Sequence, residues 1–307
     1  MSLLPNYHGV CAVPPVARRN DDRTIDPEQN LRMLRHLAAG GISRVIYGGN
    51  GNLYHMTLRD YEALLECLST AMDDIVIVPS VGPAYGRAME QAEVLRRYRF
   101  PLVMALPGSH PCNAVGLGRG YREIAEAAGA PLLLYVKDER DFGDNISAGL
   151  DVIGSLVDDG VSVGIKYAVV REDPAHDPYL KKLLDRVDAD SILSGIGERP
   201  ALVHMQQWGL PGFTTGSGCV QPTAARALYD AAASGDFEAA RKIRARFMPL
   251  EDLRDQWGPV SVLHAAVEAA GIARVGPPLP FLGDLSVQQR AEIASVVESM
   301  LDAKVSV

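Results

Sequence analysis

Short apolar runs recur along this chain at nearly even spacing, and the stretches between them carry helical period, a rhythm that confines the chain to a parallel α/β fold. The runs cover residues 9–13, 44–48, 75–80, 102–106, 132–136, 163–166, 191–194 and 212–215. Helix-start signals fall between them: Asp26-Pro27 before 28–39, Thr57 before 58–71 and Ser147 before 148–157. Eight βα units over roughly 220 residues match the length of a (β/α)8 TIM barrel. A doubly wound sheet is the alternative, but no Gly-x-Gly-x-x-Gly follows the first run. Beyond the eighth unit only helical patterns remain, at 237–256, 260–269 and 287–301. Residues 1–233 are therefore expected to form a catalytic barrel, and residues 234–307 a C-terminal extension of three helices.

Composition narrows the function. Net charge is -8 and no Lys/Arg cluster interleaves with aromatics, which argues against nucleic acid and anionic membrane as partners. Cys11, Cys67, Cys112 and Cys219 are far apart and lack metal-ligand spacing, so neither a disulfide frame nor a metal is expected, and the thiols read as reduced. The start Met1-Ser2-Leu3-Leu4-Pro5 lacks a leader pattern and no long apolar span occurs. The expectation is a soluble cytoplasmic enzyme with a small-molecule substrate and no cofactor.

Lys166 ends the run Val161-Ser162-Val163-Gly164-Ile165-Lys166, which otherwise reads as a strand buried on both faces. Desolvation lowers a lysine's pKa and frees an amine that can attack a ketone to form a Schiff base. A strand-end lysine whose head reaches solvent is the competing reading. In a barrel the strand ends meet at one mouth, and the preceding strand ends at Tyr135, which sets a phenol beside the amine as a candidate proton shuttle. The second run leads into Gly48-Gly49-Asn50-Gly51-Asn52, a turn whose N–H groups can cradle a carboxylate or phosphate, or bind nothing at all.

This constellation resembles the dihydrodipicolinate synthase and N-acetylneuraminate lyase family of class I aldolases, over most of the chain. The matching segments are the 48–52 turn, Tyr135, Gly164-Ile165-Lys166, the small-residue stretch 212–218 and Gly276-Pro277-Pro278-Leu279. The resemblance implies a homotetrameric lyase in which Lys166 forms an imine with a 2-oxo acid, usually pyruvate or a sugar-derived one. It also implies that Tyr135 moves protons and that the N–H groups of Gly49 and Asn50 hold the substrate carboxylate.

Departures shape the expected substrate. Gly49-Asn50 replaces the threonine pair of the lysine-biosynthetic enzymes, residues 106–113 contain no tyrosine, and Tyr135-Val136-Lys137-Asp138 replaces the usual Tyr-Asn-x-Pro. Dihydrodipicolinate synthase activity itself is therefore not expected. Asn52, where the turn glutamate would be, also departs from the sialic acid lyase pattern. Arg140 falls where the lysine-biosynthetic enzymes keep a carboxylate-binding arginine, and its planar fork suits that job. The 135–138 stretch looks like that of the 5-dehydro-4-deoxyglucarate dehydratases. A polar mouth with His55, His110 and Asn113 favours a hydroxylated acid. Two further readings stay open: a barrel enzyme that uses Lys166 without an imine, and a 2-oxo acid binding protein that has lost the chemistry.

Overall fold

The computed structural model describes residues 7–72, 75–108 and 112–302. Residues 1–5, read above for a leader, and His110 lie outside them. Nine strands are present among the described residues: β1 (Gly9–Ala12), β2 (Arg44–Ile46), β3 (Val76–Val78), β4 (Ser80–Val81), β5 (Val103–Ala105), β6 (Leu132–Val136), β7 (Ser162–Tyr167), β8 (Ile192–Ser194) and β9 (Gly212–Thr215). Each pairs in parallel with its neighbours, in the order β3-β2-β1-β9-β8-β7-β6-β5-β4. The two ends of that order are halves of one strand, split at Pro79, which has no N–H to give to the ladder. The Pro79 carbonyl still accepts from Met104 N at 2.8 Å, and the Val78 carbonyl accepts from Tyr47 N at 2.9 Å. The ring therefore closes as a (β/α)8 barrel with its third strand kinked.

Eight helices cover the strands: α1 (Pro27–Ala39), α2 (Leu58–Ser69), α3 (Tyr85–Leu95), α4 (Ala114–Ala128), α5 (Ile146–Asp158), α6 (Pro178–Leu184), α7 (Glu198–Trp208) and α8 (Pro222–Ala233). Polar side chains start five of them by accepting first-turn N–H groups: Asp26, Thr57, Asn113, Asn145 and Asp177. At α5 the cap is Asn145 and not Ser147, because the asparagine oxygen takes the Ala148 N–H and the helix starts two residues earlier than the serine suggests.

The extension holds α9 (Phe237–Ala245), α10 (Met248–Trp257), α11 (Pro259–Ala269) and α12 (Val287–Asp302). Among the described residues it thus has four helices where the sequence pattern suggests three. The stretch 237–256 breaks because Pro249 lacks the N–H that a continuous helix would give to residue 245. The chain turns at Arg246 and Phe247, and Phe247 fills the core.

Two apolar layers result. An outer layer between strands and helices runs without a break from Val45 and Leu132 to Leu250 and Val262, so the extension shares the barrel's core. An inner layer of Tyr7, Cys11, Met104, Leu133, Tyr135 and Leu193 fills the barrel. Gly164 is required there, since a Cβ on it would lie 2.2 Å from the Tyr7 ring that fills the space beside it.

Candidate active site

Tyr135 and Lys166 are register partners on β6 and β7. The Lys166 side chain turns into the barrel, leaving the residue 3% exposed, and its Nζ lies 4.3 Å from the centroid of the Tyr135 ring. Room for the aliphatic stem comes from Gly195 at the end of β8, where a Cβ would stand 2.9 Å from Lys166 Cγ. Burial above all holds Lys166 well below the ordinary lysine range, at about 8; Cys11 works against the shift, and the neighbouring cations Lys137 and Arg254 add to it. Burial likewise pushes the Tyr135 phenol far up, so it is a proton donor at neutral pH. Gly195→Ala is expected to displace the lysine stem and cut activity by at least about tenfold with the fold retained, as circular dichroism and an activity assay would record.

The turn after β2 is closed by the N–H groups of Asn52 and Leu53, which donate to the Gly49 and Gly48 carbonyls at 2.9 and 3.4 Å. Closure thus makes no use of the Gly49 and Asn50 N–H groups. The Asn50 side chain is held at both ends: Nδ2 donates to the Val13 carbonyl at 2.8 Å, and Oδ1 accepts from Arg254 Nη2 at 3.4 Å. Asn52, in the left-handed region at φ 56°, reaches the Leu279 carbonyl at 3.4 Å and so ties the turn to the Gly-Pro-Pro-Leu segment. Gly276 begins that segment at φ 71°, with no space for a Cβ against the Arg18 carbonyl.

Lys166, Tyr135, Gly49 and Asn50 line one cavity of about 390 Å³. His55 lines it too, tilted against Phe281 with ring centroids 5.1 Å apart. Asn113 instead caps α4 and borders a separate hollow of about 530 Å³ between α3 and α4, which shares no lining residue with the cavity at Lys166. Arg140 does not join the site. Its loop is folded around acidic side chains, with Asp138 Oδ1 accepting the Arg140 N–H and Asp141 accepting those of Lys137 and Asp138. The Arg140 side chain is left exposed, outside the cavity wall.

The cavity's guanidinium comes from the extension. Arg254 on α10 is 8% exposed, bonds Glu251 and Asn50, and stands where any side chain on Gly216 would clash. Behind it Glu251 accepts from Ser217, and the fully buried Glu198 accepts from Thr215. Burial first, and then the Glu251 charge, raise Glu198 to about 8, so it is largely protonated at neutral pH. A carboxyl raised from about 4.5 to about 8 by folding adds stability that is full below 4.5 and lost as pH rises through 8. Glu198→Gln is expected to flatten the fall in melting temperature across that window, a comparison thermal melts at pH 5 and 8.5 would make. Among the described residues no group of three or more His, Cys, Asp or Glu could hold a metal ion, and no helix is long and apolar enough to cross a membrane.

Barrel and mouth together define a (β/α)8-barrel enzyme whose candidate site lies at the C-terminal ends of the strands. Residues 8–300 match the Dihydrodipicolinate synthetase family, and the chain belongs to that family of lyases. Among curated relatives, the 4-hydroxy-tetrahydrodipicolinate synthase of Methanosarcina mazei is 25% identical over 283 residues, 91% of this chain and 94% of the relative. That of Xanthomonas axonopodis pv. citri is 27% identical over 267 residues, 85% and 84% of the two chains. Among solved structures, dihydrodipicolinate synthase from Oceanobacillus iheyensis superposes with a TM-score of 0.82 at 25% identity, over 94% of this chain and 95% of that one. Dihydrodipicolinate synthase from Bacillus anthracis gives 0.83 at 17% identity, over 95% and 98%.

Proposed function

We propose that the chain is a Schiff-base aldolase or dehydratase acting on pyruvate, or on a pyruvate-related or sugar-derived 2-oxo acid. The observation that carries this reading is Lys166 itself: an amine enclosed in the barrel mouth, held near pKa 8, against the Tyr135 ring. Nζ attacks the ketone carbon, Tyr135 supplies the proton with which the carbinolamine hydroxyl leaves as water, and the iminium then draws in electrons from a bond at the next carbon. The Gly49 and Asn50 N–H groups hold the carboxylate, with Arg254 adding charge at the same turn. Hydrogen bonds to a charged group of this kind are worth about 1.5 to 3 kcal/mol each. In this reading the barrel, residues 1–233, supplies nucleophile, phenol and cradle, and the extension, residues 234–307, supplies Arg254.

Arg140 takes no contact with pyruvate in this assignment. Arg140→Ala is expected to leave pyruvate binding within about twofold, as for other exposed charges. Arg254→Lys, which keeps the charge but loses the fork, is expected to weaken it about tenfold, as calorimetry would register. Free Cys11, Cys67, Cys112 and Cys219 support a cytoplasmic setting, and exposed Tyr85 and Val115 on α3 and α4 offer apolar surface for the homotetramer we infer.

The curated relatives' name favours a second reading, the condensation it describes. The replacement of a hydroxyl-bearing pair by Gly49-Asn50 speaks against it. A panel of 2-oxo acids assayed for pyruvate release, water loss and condensation separates the two. Pyruvate release or water loss from a hydroxylated 2-oxo acid is the expected result, and condensation alone would favour the relatives' reaction. Because the free amine reacts, adduct formation with pyruvate should rise nearly tenfold per pH unit well below 8, more gently as pH nears 8, and then level off. A flat profile from pH 6 to 8 would contradict a lysine nucleophile of that pKa.

A further inference from the structure

Tyr54 takes no part in the steps above. It belongs to the one-turn helix Leu53–His55 after the β2 turn, lines the cavity, and passes 4.0 Å from where a Cβ on Gly49 would stand. Its hydroxyl is buried and has no hydrogen-bond partner among the described residues; other tyrosines share that condition, but of these Tyr54 is the one that lines this cavity. The Lys137 ammonium lies 5.9 Å from the Tyr54 ring centroid and 6.0 Å from that of Tyr135, so one cation stands by both phenols.

A donor that is unmet in the resting site acts on rate if a stronger acceptor develops during the reaction, and a phenolate oxygen accepts far more strongly than a phenol's. We propose that Tyr54 is a positioning residue for Tyr135, its hydroxyl donating to the phenolate that forms when Tyr135 gives up its proton. The proposal rests on the Schiff-base reading and deepens it. The Tyr135 O–H bond breaks as its proton leaves with the carbinolamine hydroxyl as water, and the nitrogen pair forms the iminium. The phenolate then takes a proton from the methyl carbon of the bound pyruvate, the C–H pair becomes the enamine double bond, and the iminium pair returns to nitrogen. Tyr54 keeps its own proton throughout. Burial holds the Tyr54 phenol up, so at neutral pH its hydroxyl enters the reaction protonated.

Deuterium exchange from solvent into the methyl group of pyruvate, followed by NMR, tests this with pyruvate alone. Tyr54→Phe removes only a hydroxyl that has no partner, so the variant should fold. Its exchange rate is expected to fall by about thirtyfold or more, while the yield of the borohydride-reduced adduct on Lys166 stays within twofold of wild type. Combined with Tyr135→Phe it should cause no further loss, as expected of residues that act as a unit. Exchange within threefold of wild type, or losses that multiply in the double variant, would overturn the assignment of Tyr54 while leaving the imine intact. Wild-type protein that forms no adduct would instead remove the Schiff-base reading, and the role of Tyr54 with it.

Discussion

Lys166→Arg is expected to abolish turnover, by on the order of ten-thousandfold or more, because a guanidinium keeps the charge but cannot become an imine. The charge-preserving choice separates the proposed nucleophile from an electrostatic role, in which arginine would retain much of the activity. Since the position is buried and closely walled by Gly195, a second variant guards against misfolding. Lys166→Met keeps the unbranched stem and removes the charge, so its melting temperature should equal or exceed that of the wild type while its activity is lost. Residual activity in both variants above about a hundredth of wild type would return Lys166 to a supporting role.

Tyr135→Phe is expected to cut turnover by roughly a hundredfold or more, the usual size for loss of a positioned acid or base. The ring that lies against Lys166 Nζ and fills the barrel's inner layer would remain, so the melting temperature should change little. Single-turnover kinetics should place the loss in carbinolamine dehydration rather than in the first encounter with substrate. Unaltered turnover would take Tyr135 out of the mechanism.

The strands were legible because parallel strands covered on both sides must be apolar throughout, and a lysine closing such a run stands out against it. Residues 163–166 thus revealed both the strand and its unusual lysine, although the strand runs one residue further, to Tyr167. The meeting of Tyr135 with Lys166 followed from the barrel, since consecutive strands place consecutive ends side by side. Arg254, Glu251 and Glu198 were not legible. On a helix, Glu251 and Arg254 three residues apart look like any solvated pair, and only the folding of α10 over the mouth buries them. Gly216 was the trace Arg254 left, but a glycine does not say which side chain occupies the space it frees. Arg140 is the opposite case: its position along the chain suits a second carboxylate clamp, while Asp138 and Asp141 order the loop backbone and leave its side chain exposed. Tyr54 gave no periodic signal, because it sits in a single helical turn whose place is set by the glycine-rich turn before it.

The measurement that bears most directly on the central claim is borohydride reduction in the presence of pyruvate, followed by peptide mass analysis. The proposed mechanism requires the mass of the reduced ligand on the peptide containing Lys166, with trapping that strengthens as pH rises toward 8. A label on Lys137, or no label with pyruvate or any other 2-oxo acid, would contradict it.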